Sequence, residues 1–96
     1  MKSWQELDQD LKAIILDLRE NGPDCAKFLS RRLKIDLATC MKSLSFLEAS
    51  GWLQRVKGTF LFKRGFRRPK HMNHTYYEIT KNGEKHIRFL ARKGHI

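Results

Sequence analysis

Between Cys25 and Ser50 the chain carries two runs of apolar residues at helical spacing, and only Ile35-Asp36 separates them. The first run is Cys25, Ala26, Phe28, Leu29 and Leu33; the second is Cys40, Leu44 and Leu47. Apolar residues three and four apart fall on one face of a helix. Two helices joined this tightly leave each other at a steep angle, as in a helix-turn-helix, with both apolar faces on one core. Asp36 suits the N-cap of the later helix, because a carboxylate there accepts from backbone N–H groups that have no partner inside the helix. Gly51 suits the left-handed position just past its end, near Ser50. Everything else in the chain must pack around this pair.

The flanking segments can be read in the same way. Ser3 and Glu6 have the spacing of a capping box, which starts a first helix there. Leu7, Leu11, Ile14, Ile15 and Leu18 continue it, and Asn21-Gly22-Pro23 stops it. Asp24 is placed to cap the second helix, whose end is crowded by Arg31, Arg32 and Lys34. Trp52 to Val56 reads as a strand, broken at Lys57-Gly58, and Thr59-Phe60-Leu61-Phe62 extends it or forms a short strand of its own. Residues 63–74 show no period and read as a loop. Thr75 to Ile79 is a strand by propensity. Thr80 caps a last helix ending near Lys93, with Ile87 and Leu90 inward. The fold expected is α+β: three helices, then a two- or three-stranded hairpin, then a C-terminal helix. Residues 1–96 read as a single domain, with the helix-turn-helix at about 24–50, the hairpin at about 53–79 and the last helix at about 81–93.

Charge is distributed unevenly. The net charge is +10, yet residues 1–20 sum to −2, while residues 53–76 hold seven basic and no acidic side chains. An ordinary soluble surface intersperses the two signs. A one-signed segment is what a phosphate-binding surface requires. Other classes find little support. No apolar run approaches the roughly 18 residues needed to span a membrane. The first residues lack a signal-peptide pattern, so a cytoplasmic protein is expected. Cys25 and Cys40 are too few and too far apart for a disulfide framework and read as reduced, semi-buried residues. His71 and His74 are not accompanied by the paired cysteines of a structural zinc site, so no metal or other cofactor is expected. No phosphate cradle, nucleophile elbow or metalloprotease motif is present, and an enzyme is not expected.

The stretch from Leu29-Ser30-Arg31-Arg32-Leu33-Lys34-Ile35-Asp36 through Cys40, Leu44, Leu47 and Glu48 to Gly51-Trp52-Leu53 resembles winged helix-turn-helix regulators of the MarR and ArsR kind. Tyr76-Tyr77-Glu78-Ile79-Thr80-Lys81-Asn82-Gly83 resembles their return strand and helix start, and the likeness covers roughly residues 5–93. The chain is also similar to small archaeal winged-helix proteins with a basic wing before a His-Thr-Tyr-Tyr strand. Two positions depart from the pattern. Lys34 stands where the turn usually holds Gly, and the third helix is poor in groove-reading side chains.

The resemblance implies binding of double-stranded DNA by a small transcriptional regulator, with the third helix in the major groove and the wing on phosphates or the minor groove. Lys42 would donate to guanine, Thr39 and Ser43 would meet a base or phosphate, and Leu37 and Ala38 would lie on thymine methyls. Arg31, Arg32 and Lys34 would hold phosphate near the start of the third helix. Lys57, Lys63, Arg64, Arg67, Arg68, Lys70 and His71 would supply the wing contacts. Regulators of this kind pair, so a homodimer is expected, with Trp4, Leu7, Leu11, Phe89 and Leu90 as interface candidates. Those residues would equally close a monomeric core. Phe46 and Phe66 are candidate contacts for a protein partner. Two other readings stay open: an architectural DNA-binding protein led by its wing, and an interaction adaptor using the apolar face at Leu37, Met41 and Phe46.

Overall fold

A computed structural model describes residues 1–56 and 75–95. Helix α1 spans Gln9–Asn21, α2 spans Ala26–Leu33, α3 spans Leu37–Ala49 and α4 spans Lys81–Arg92. Three short strands, β1 (Asp24–Cys25), β2 (Leu53–Arg55) and β3 (Tyr76–Ile79), form an antiparallel sheet in the order β1-β3-β2. The α+β winged-helix arrangement expected from the sequence is therefore the one observed. Lys57, Lys63, Arg64, Phe66, Arg67, Arg68, Lys70, His71 and His74, and the strand read at 59–62, lie outside the described residues.

Two expectations near the helix starts are corrected. Ser3 and Glu6 do not open the first helix. They bracket a single 3₁₀ turn, Trp4–Glu6, and the Ser3 hydroxyl donates to Glu6 Oε1 at 3.0 Å without capping any backbone N–H. The chain is extended at Leu7, and Asp8 caps α1 by accepting from Leu11 N at 2.9 Å. The bend lets Trp4 and Leu7 both point inward. Asp24, read as a cap of α2, lies instead in β1 opposite Tyr77, with Cys25 opposite Tyr76. Its carboxylate faces Arg32.

The other signals act where they stand. Asp36 accepts from Thr39 N at 3.2 Å and caps α3, and Thr80 Oγ1 accepts from Gly83 N at 3.0 Å and caps α4. Helices α2, α3 and α4 end in one hydrogen-bond pattern: Ile35 N donates to Ser30 O, Trp52 N to Leu47 O, and His95 N to Leu90 O. This bond, which reaches back five residues, requires a positive φ at the residue before its donor. Gly51 and Gly94 fill that position in α3 and α4, at φ 88° and 76°. In α2 it is filled by Lys34, at φ 56° and ψ 43°.

A single core ties the elements together. Ile14 and Ile15 of α1, Leu29 of α2, Cys40, Leu44 and Leu47 of α3, Trp52, Leu53 and Tyr77 near the sheet, and Ile87 of α4 are all buried. Trp4, Leu7 and Leu90 join them, and Leu11 packs at the margin. The side chains read as interface candidates are thus mostly inside the chain's own core, which leaves Phe89 exposed. Trp52 is the hub. Its Nε1 donates to Lys2 O at 2.9 Å, and its ring meets Trp4 edge-on at 6.0 Å and His86 edge-on at 5.3 Å. Gly83 sits tightly against it, since a Cβ there would come within 3.1 Å of Trp52 O and 3.0 Å of Ile79 Cγ1.

Candidate nucleic-acid interface

The inner stripe of α3 is fixed in the core by Cys40, Leu44 and Leu47, and this decides which residues face out. Leu37, Ala38, Thr39, Met41, Lys42, Ser45 and Phe46 are exposed, and Ser43 is half-buried. The face holds one cation, Lys42; Glu48 binds Arg55 at 3.0 Å, and exposed Asp36 at the helix start accepts from Thr39 N without a cation partner among the described residues. Arg31 and Lys34 are exposed just before the helix. Neither they nor Lys42 has a carboxylate partner among the described residues. The ring of Phe46 is covered from one side by Lys2, whose Nζ lies 5.9 Å from the ring centre.

Arg32 is placed differently from its neighbours. Its Nε and Nη2 donate to the two oxygens of Asp17 at 3.2 and 2.7 Å, and Nη2 also reaches Asp24 Oδ2 at 2.7 Å. The two-pronged contact with Asp17 raises the guanidinium pKa further above its already high ordinary value, with Asp24 adding to it. One cation therefore binds α1, β1 and α2 together, and its charge is matched within the fold. Neither carboxylate could be assigned to this clamp from the sequence, because Asp17 lies fifteen residues away on another helix.

The cysteines are buried in reduced form. Burial, with smaller contributions from Cys25 and Asp10, pushes the Cys40 thiol from 9.0 up to about 11. A thiol held protonated is a poor nucleophile, so Cys40 acts as a packing residue.

The chain matches, over residues 4–90, the model of the family described as "Uncharacterized protein conserved in archaea (DUF2250)". It belongs to this family. No curated protein sequence matches it. Among solved structures, it is 22% identical to a transcriptional regulator from Thermotoga maritima, with a TM-score of 0.69 over 88% of this chain and 53% of that one. A MarR-family regulator from Neisseria meningitidis is 16% identical, with a TM-score of 0.66 over 94% and 56% of the two chains. A MarR variant from E. coli, solved with operator DNA, is 16% identical, with a TM-score of 0.66 over 95% and 61%. At such identities the likeness shows the fold, a winged helix of the MarR kind. The chain spans 53–61% of the length of these structures. Among the described residues no helix is long and apolar enough to cross a membrane.

Proposed function

We propose that this chain binds double-stranded DNA as a small transcriptional regulator, with α3 in the major groove. The observation that carries the reading is the outer face of α3. It is anchored to the core from behind, carries Lys42, follows exposed Arg31 and Lys34, and has its Glu48 carboxylate paired with Arg55. A helix of this width fits the major groove. Backbone N–H groups at its start also favour phosphate, which suits Arg31 and Lys34. The run Lys57, Lys63, Arg64, Arg67, Arg68, Lys70 adds six cations to the same partner. Thr39 and Ser43 are secondary contacts. The fold is one also found in a regulator solved with its operator. Two copies acting as a homodimer would place two such helices about 34 Å apart, in successive grooves.

A second reading, an architectural protein with little sequence preference, is favoured by the absence of Arg, Asn and Gln from the exposed face of α3. The deciding experiment is selection from a pool of random duplexes at two salt concentrations. An enriched palindrome or direct repeat identifies a specific regulator and reports the spacing of its copies. Salt-sensitive binding without a motif identifies the architectural protein. Absence of binding at low salt refutes both. Removing Arg31 or Lys34 should each flatten the salt dependence by about one phosphate contact.

A further inference from the structure

The N-terminal half of α3 exposes large apolar side chains where a groove-reading helix more often carries amides and guanidinium groups. Leu37 is 48% exposed and Met41 is 55% exposed, with Ala38 beside them. About half of the surface of Leu37 and of Met41 is left open by the described chain. Lys42 is the one side chain of this face able to offer several donors to a base; Thr39 and Ser45 offer single hydroxyls. In the major groove one base-edge group is apolar, the C5 methyl of thymine. The charges around the patch fit that setting. Arg31 and Lys34 precede it and Lys42 follows, three cations against the one carboxylate without a cation, Asp36, while Glu48 is paired with Arg55. Cations at the margins and apolar side chains between them match phosphates on the groove walls and methyls on its floor. Phe46 is set apart, at the far end of the helix with Lys2 on its ring.

We infer that Leu37 and Met41 recognise thymine through its methyl group, so that sequence preference rests on apolar contact more than on hydrogen bonds. The inference rests on the DNA-binding reading above and names what the helix reads. Its test takes the pool of duplexes bound by the full chain and copies it with deoxyuridine in place of thymidine. Uracil keeps every base pair and every donor and acceptor, and lacks only the methyl. Affinity should fall about fourfold for each contacted methyl, the effect of exposing one buried carbon. Leu37→Ala and Met41→Ala remove exposed side chains and should leave the circular dichroism spectrum unchanged. Each should weaken binding to the thymine duplex and shrink the thymine-to-uracil ratio, and the double variant should bring it near one. Equal affinity of the unaltered chain for both duplexes overturns the inference and leaves DNA binding standing. A ratio that persists in the double variant also overturns it, since the methyls would then act on duplex shape or on another part of the protein. Failure to bind either duplex at low salt overturns both readings together.

Discussion

Removing Arg32 should cost the fold far more than removing any other exposed arginine. Arg32→Ala leaves the Asp17 and Asp24 carboxylates in place, with side chains only 9% and 15% exposed. Both had been bonded to the same Nη2 at 2.7 Å, so they are left facing each other with no cation between them. Breaking a fully buried pair from one side costs about 3–5 kcal/mol. The arginine itself is 40% exposed, so water screens part of the loss, and about 2 kcal/mol is the reasonable expectation. At about 4–8 °C per kcal/mol for a domain of this size, Tm should fall by roughly 8–16 °C. Urea unfolding followed by the emission of buried Trp4 and Trp52 measures it. The same substitution in an Asp17→Asn, Asp24→Asn background should cost less than about 1 kcal/mol, because neutral amides have no charge to strand. Equal losses in the two backgrounds would refute the clamp, as would a loss below about 0.5 kcal/mol in the parent chain.

Lys34→Gly should stabilise the chain by about 0.5–1 kcal/mol: the left-handed conformation costs a side-chain-bearing residue about 1–2 kcal/mol, partly offset by the greater freedom of glycine when unfolded. Denaturant midpoints decide it, and a loss of stability would show that the Lys34 side chain holds the turn. Gly83→Ala should destabilise by about 1 kcal/mol despite alanine's better helix propensity, because Trp52 O already accepts from Thr80 N at 2.9 Å and cannot retreat from a new Cβ; a higher Tm would contradict this. Cys40 is protonated when buried, with its pKa raised from 9.0 to about 11. Its contribution is therefore complete below pH 9 and declines as pH rises toward 11, so Cys40→Ala should flatten the alkaline limb of a stability–pH profile. In the native state the same thiol should react with iodoacetamide only as fast as the chain opens.

The helix-turn-helix was legible because its signals are local. Asp36 caps within three residues and Gly51 closes its helix within one turn, so neither depends on distant parts of the chain. Strand β1 was not legible: two residues carry no period, and Asp24 and Cys25 become a strand only by pairing with Tyr77 and Tyr76, some fifty residues later. Ser3 and Glu6 had capping spacing, but in the fold Asp8 takes the cap, and the bend before it brings Trp4 onto Trp52. Their place at the end of the second helix put Arg32 with Arg31 and Lys34 on a common surface. That position could not show that folding would bring Asp17 and Asp24 to one of the three. Whether Trp4, Leu7 and Leu90 face a partner or a core depends on how a small chain closes, which no single segment records.

The sheet has a bearing on which changes of length this chain can accept. Above residue 56 the β2–β3 pair is pinned by Val56 N on Tyr76 O, and at its other end by Thr80 N on Trp52 O. The register of the two strands is thereby set from outside the segment that joins them. Insertions or deletions between residues 57 and 74 can therefore alter reach and charge while the stem keeps its pairing. The junction of β1 with α2 has no such latitude. Cys25 ends the strand and Ala26 begins the helix, so one added residue would turn Arg32 about 100° around its axis, away from Asp17 and Asp24. Descendants of this chain should vary freely in the first place and keep a fixed length in the second.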